Sequence, residues 1–178
     1  MRRPRLFAVL VLVVATSSRG MAQAPQPGPE VKKLAVMAGV WQYEGEAKAT
    51  ALGPAAKISG KQTGTMVANG FGLQWSGQET GAFGGVQWGE IDVYDAASKT
   101  YRFLGYQSDG ATWSGTFTIA GNTWKATSTM TVKGTSYHMR AETVIAADGK
   151  SQTWKAELST DGGKTWVPWV EQKLTKVS

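Results

Sequence analysis

The chain has 178 residues, no cysteine, one histidine, and 19 Lys+Arg against 13 Asp+Glu. Lacking cysteine, it excludes disulfides and thiolate metal sites, so its stability must come from its core. Four arginines (Arg2, Arg3, Arg5 and Arg19) fall in the first 24 residues, and the remainder carries 15 basic against 13 acidic residues, too even a balance for a nucleic-acid-binding surface.

The first expected element is a targeting segment. A basic start (RRPR), an apolar run from Leu6 to Ala15 and the small-x-small end Ala22-Gln23-Ala24 predict a secretory signal peptide over residues 1–24, with the mature chain starting at Pro25. The apolar run is too short for a bilayer, which needs roughly 20 residues, so no stable membrane span is expected once the signal is removed. The expected location is periplasmic or secreted. The 154 residues that follow suffice for one domain with a substantial core.

Residues 25–38 form a lead-in. PQPGPE is stiff and polar, and Pro29 sits near the first turn of a short helix expected over Glu30–Met37, with Val31, Leu34 and Ala35 or Ala38 on one face. From Trp41 onward the hydrophobic period is two. Trp113, Gly115, Phe117 and Ile119 alternate with Thr112, Ser114, Thr116 and Thr118; Trp124, Ala126, Met130 and Val132 alternate with Thr and Lys; Trp154, Ala156 and Leu158 do the same. These are half-buried strands. Turn signals at DAASK, SDG, AGN, KGT, ADGK and DGGK recur every 12 to 15 residues or so, which joins neighbouring strands antiparallel. With Trp41–Lys48, Ile58–Val67, Phe71–Gln78 and Val86–Tyr94 the count is about ten. Such a meander can stay open, form a sandwich or close; closure alone removes the edges. The expected fold is all-β, a single antiparallel up-and-down barrel with a short N-terminal helix.

MAGVWQYEGEA (Met37–Ala47) places a short helix and G-x-W at the head of this meander, which resembles the calycins: lipocalins, fatty-acid-binding proteins, avidins and nitrobindins. The order GVWQYEGEA, IDVYDAASKTY, SDG, TW and STDGGKTWVPWVEQKLTK, across nearly all of residues 25–178, resembles a bacterial exported domain-of-unknown-function family of calycin type, number fifteen seventy-nine. The resemblance implies a calycin-like barrel over 39–178 in which Gly39 and Trp41 are structural, Trp41 closing one end against Lys173 or Lys176. It implies no established activity. Nitrobindins hold haem through a late histidine, whereas His138 shares a polar face with Arg140 and Glu142, alternating with Tyr137, Met139 and Ala141, so no cofactor is expected; one histidine also makes no His-rich metal site.

No nucleophile elbow, phosphate loop or dinucleotide-binding glycine motif occurs. STDGGKTW (Ser159–Trp166) looks like the Asp-box of sialidase propellers, but a propeller needs several copies. One copy reads as the hairpin between the last two strands, with Asp161, Gly163 and Trp166 structural.

The eight tryptophans offer the candidate site, since flat apolar walls with a few polar groups make a ligand pocket and equally make a core. If Asp92 lies opposite Arg102 and Asp109-Gly110 is a two-residue turn, then Trp88, Glu90, Asp92, Arg102 and Tyr106 share the interior with Trp113. A three-residue loop reverses the parity and turns Ile91, Val93, Tyr101 and Phe103 inward. Trp75, Trp88, Glu90, Asp92, Arg102, Tyr106, Trp113, Trp124 and Trp154 are therefore the expected lining of a site for a small, mainly apolar ligand. The alternatives are an enzyme using Glu90, Asp92 or Glu171 as acid and base, and a barrel that binds a partner, or serves structurally, without a ligand.

Overall fold

The computed structural model describes residues 25–81 and 84–178, so the expected signal peptide lies outside the described residues. Ten strands follow one short helix. They are β1 (Gly39–Ala47), β2 (Ala56–Val67), β3 (Gly72–Thr80), β4 (Val86–Asp95), β5 (Thr100–Gln107), β6 (Thr112–Ala120), β7 (Thr123–Val132), β8 (Thr135–Ile145), β9 (Ser151–Ser159) and β10 (Val167–Lys176). Each pairs antiparallel with the next, and β1 pairs with β10, closing the barrel. The edges that a ten-strand meander would expose are thereby paired. No helix among the described residues is long and apolar enough to cross a membrane.

Alternation is what bends the sheet round. The outer face carries threonines and charges, among them the row Lys125, Glu142, Lys155 and Glu171, directly opposite one another on β7 to β10. Two pairs in that row close at 3.4 Å (Lys125–Glu142) and 2.8 Å (Lys155–Glu171). A one-residue slip would turn every one of these charges inward, so the row and the core specify the same register.

The helix differs from its expected form in an instructive way. It is α1 (Pro29–Lys33) followed by a 3-10 turn, Leu34–Met37. Tighter winding moves the buried face to Val31, Leu34 and Met37, three residues apart, and leaves Ala35 exposed. Each buried apolar side chain contributes about 1.5–3 kcal/mol. Tyr101 Oη on β5 holds the helix by donating to the Glu30 carbonyl at 2.8 Å.

Trp41 stands where this cap meets the barrel, with none of its surface exposed. Its Nε1–H donates to Met37 O at 2.9 Å, and Lys176, its partner across β1 and β10, lies 5.2 Å over the indole. Lys176 rather than Lys173 is thus the basic residue against the tryptophan. The opposite end is rimmed by the β1–β2, β3–β4, β5–β6, β7–β8 and β9–β10 loops. The last is the STDGGKTW hairpin, where Asp161 Oδ1 accepts from the backbone N–H of Lys164 (3.0 Å) and Thr165 (2.9 Å), and Ser159 Oγ accepts from Gly163 (2.9 Å). Trp166 closes the turn onto Gly163 O at 3.0 Å, with Arg140 stacked on its ring.

Candidate functional site

Between the packed cap and the loop end the barrel is hollow. A cavity of about 250 Å³ runs from Met37 beneath the cap to Glu79, Gln107 and Trp169 towards the loops. That is slightly under the ~300 Å³ at which small-molecule pockets begin. Six of the eight tryptophans line it: Trp75, Trp88, Trp113, Trp124, Trp154 and Trp169. Trp41 belongs to the cap and Trp166 to the hairpin.

Cross-strand pairing explains why so many indoles leave a space rather than fill it. Gly64 is opposite Trp75, Gly77 opposite Trp88, and Gly105 opposite Trp113. A Cβ added at Gly77 would come within 2.3 Å of Trp88, and one at Gly105 within 2.1 Å of Trp113. The rings lie over bare backbone, flat on the wall.

The β4–β5 register decides the chemistry. Arg102 is opposite Val93 and Phe103 opposite Asp92, and three residues, Ser108–Gly110, separate the hydrogen-bonded Gln107 and Ala111, so Tyr106 is opposite Thr112 and not Trp113. β4 therefore turns Trp88, Glu90 and Asp92 inward while β5 turns Tyr101 and Phe103 inward. Each of the two expected registers was half right. Arg102 and Tyr106 are corrections: they point to solvent, with the Arg102 side chain 59% exposed and Tyr106 62% exposed. Asp95 holds Arg102 outside through a 2.9 Å ion pair. Glu171 also lies outside, paired with Lys155.

Among the described residues no Lys, Arg or His lines the cavity, so the interior acids have no cation beside them there. Asp92, 4% exposed, accepts from Trp75 Nε1–H at 3.0 Å through Oδ2. Its Oδ1 has no hydrogen-bond partner among the described residues, and Glu90 lies two residues along the same strand, on the same cavity wall. Glu90 accepts from Trp113 Nε1–H, and the surface it retains is cavity wall. Burial pushes the Glu90 carboxyl up; burial first, and then the neighbouring Glu90 charge, pushes Asp92 well above the usual carboxylate range. Two such acids side by side titrate as a coupled pair.

Glu79 and Tyr43 form a second polar pair, with Tyr43 Oη donating to Glu79 Oε2 at 3.2 Å. Burial raises the Glu79 carboxyl, and burial with the Glu79 charge raises the Tyr43 phenol. Gln152, 3% exposed, and Gln172 each leave a side-chain oxygen unpartnered on the same wall.

The sequence reading missed Glu79 because it ended β3 at Gln78, although Trp75, Gly77 and Glu79 continue its alternation. It missed Trp169 because a β-bulge between Pro168 and Val170 buries both Trp169 and Val170, which strict alternation forbids. His138 is exposed, as its alternation with Arg140 implies. Among the described residues no group of three or more His, Cys, Asp and Glu is arranged to hold a metal.

No family model matches the chain, and no curated protein matches it significantly. Solved structures do share its fold. Rv2717c from M. tuberculosis superposes with a TM-score of 0.61 at 12% identity, over 85% of this chain and 99% of that one. The S-type phycobiliprotein lyase CPES from Guillardia theta superposes with a TM-score of 0.56 at 9% identity, over 83% and 92%. What the chain shares with them is the fold, a closed ten-stranded antiparallel barrel. At such identities the likeness concerns the backbone path alone.

Proposed function

We propose that this barrel binds a small, mainly apolar molecule in its interior. The observation that carries the reading is the cavity of about 250 Å³, walled by six indoles and supplied with buried polar atoms that have no protein partner. Trp154 and Trp169 pack edge to face and Trp124 stacks on Phe117, yet a cavity remains between the walls; unpaired buried polar groups cost about 1–3 kcal/mol each. A ligand that meets them recovers that cost. We further propose export to the periplasm or beyond, from the signal-like residues 1–24, and membership of the domain-of-unknown-function family numbered fifteen seventy-nine, from the motif order given above.

Native mass spectrometry of the gently purified protein tests the reading, together with tryptophan emission during titration with the neutral apolar probe N-phenyl-1-naphthylamine. Binding predicts a retained small-molecule adduct or a saturable change in emission that Ala126→Phe, which fills the lumen, removes. Neither signal in the wild type would leave the ligand-free structural barrel as the better account.

A second reading is favoured by one observation, the adjacent interior carboxyls of Glu90 and Asp92, both raised by burial. Perturbed acids in a cleft are the usual equipment of general acid–base catalysis. Turnover of any model substrate that is lost in both Glu90→Gln and Asp92→Asn, with folding intact, would move the protein into that class.

A further inference from the structure

Resting on the cavity as a binding site, we propose that its occupant is a small organic cation, with an ammonium or amidinium nitrogen seated at Glu90 and Asp92 and a flat apolar body against the indoles.

The lining discriminates among ligand charges. Among the described residues it holds the carboxyls of Glu79, Glu90 and Asp92 and no cationic side chain, so a carboxylate or phosphate ligand would meet like charge with no described side chain to pair it. A hydrocarbon would leave Asp92 Oδ1 and Gln152 Oε1, both more than nine-tenths buried, still unpartnered. Both atoms are acceptors, and Asp92 asks for a donor that the protein does not supply. A charged nitrogen bears several N–H donors, and indole faces attract a cation within about 6 Å. Acceptors without donors, acids without bases and aromatic walls are jointly satisfied by one ligand class.

With one proton between them, the two carboxyls of the empty site together carry a single negative charge. On binding, the ligand's positive charge takes that proton's place and the proton leaves to solvent, so the net charge of the site is unchanged. The other titratable groups facing this region are Glu79 and Tyr43 in the cavity, with Tyr101 and Glu30 at the capped end. Arg102 and Asp95 pair with each other on the outside.

Isothermal titration at pH 7.5 with benzylamine, benzyl alcohol and benzoate, three probes of one size and different charge, decides the matter. We expect benzylamine to bind about 10- to 100-fold tighter than benzyl alcohol, the range of hydrogen bonds to charged groups, and benzoate to bind weakest. The benzylamine heat should differ between phosphate and Tris by the ionisation heat of the released proton. The Glu90→Gln/Asp92→Asn double variant should lose the preference while still binding benzyl alcohol. Equal affinities, or benzoate binding tightest, would overturn the cation while leaving the cavity a binding site. No heat from any probe would overturn both. The three-probe comparison on the wild-type protein decides even if the double variant fails to fold.

Discussion

Gly105 and Trp113 face each other across β5 and β6, and the indole lies where a Cβ on residue 105 would be, 2.1 Å from Trp113 Cε2. The ring is held there by Glu90, which accepts its N–H. Gly105→Ala must push the indole into the lumen or spread the strands. The expected cost is about 1–3 kcal/mol, typical of overpacking, read from the urea midpoint. Probe binding should fall in parallel. A variant as stable as the wild type with undiminished binding would show that the flat-ring arrangement does not maintain the cavity.

Asp92 supplies a pH prediction whose sign follows from burial. Its carboxyl is raised in the folded state, so the native protein holds its proton more tightly than the unfolded chain. Stability therefore falls as pH rises from about 4, the ordinary carboxylate value, through the raised one. Asp92→Asn removes the charge and keeps an acceptor for Trp75. It should stabilise the protein by about 1–3 kcal/mol at pH 8 and change it little at pH 4. Thermal melts across that range, showing either no pH slope in the wild type or no flattening in the variant, would contradict this.

The cap rests on Lys176. Its ammonium lies over Trp41 and donates to Val36 O at 3.1 Å, tying the last strand to the helix. Lys176→Met should cost about 0.5–1 kcal/mol from the cation–π contact alone. Lys173→Met, on the exposed face, should stay within about 0.5 kcal/mol. Equal effects in guanidinium denaturation would dismiss the cap contact.

The β9–β10 hairpin carries the most depressed carboxyl. Thr165, through its backbone N–H and its hydroxyl, lowers Asp161 to about 2, with Ser159 adding to the effect. The order this acid provides is complete above about pH 4 and is lost as pH falls through about 2. Asp161→Ala should raise amide exchange and protease cleavage within residues 160–166 while leaving probe binding intact. Cleavage at the wild-type rate would mean that the loop is ordered by Ser159 and Trp166 without the aspartate.

Period-two alternation sufficed to identify ten antiparallel strands and, at Trp75, Trp113, Trp124 and Trp154, the side chains that face inward, because the alternation of Cβ direction along a strand is a local property of the backbone. G-x-W at Trp41 and the turn chemistry at Asp161 were legible for the same reason: each works within a few residues of itself. The site was not. Whether Asp92 meets Arg102 or Phe103 depends on the length of two loops and on Asp95 drawing Arg102 outward. A single-residue shift there separates a neutralised ion pair from a pair of buried acids with no cation among the described residues. The bulge at Pro168, which brings Trp169 into the wall, breaks the same alternation. Closure of β1 on β10 then decided that the inward face encloses a cavity, since an interior exists only when residues as far apart in sequence as Trp41 and Lys176, 135 positions, are neighbours in space.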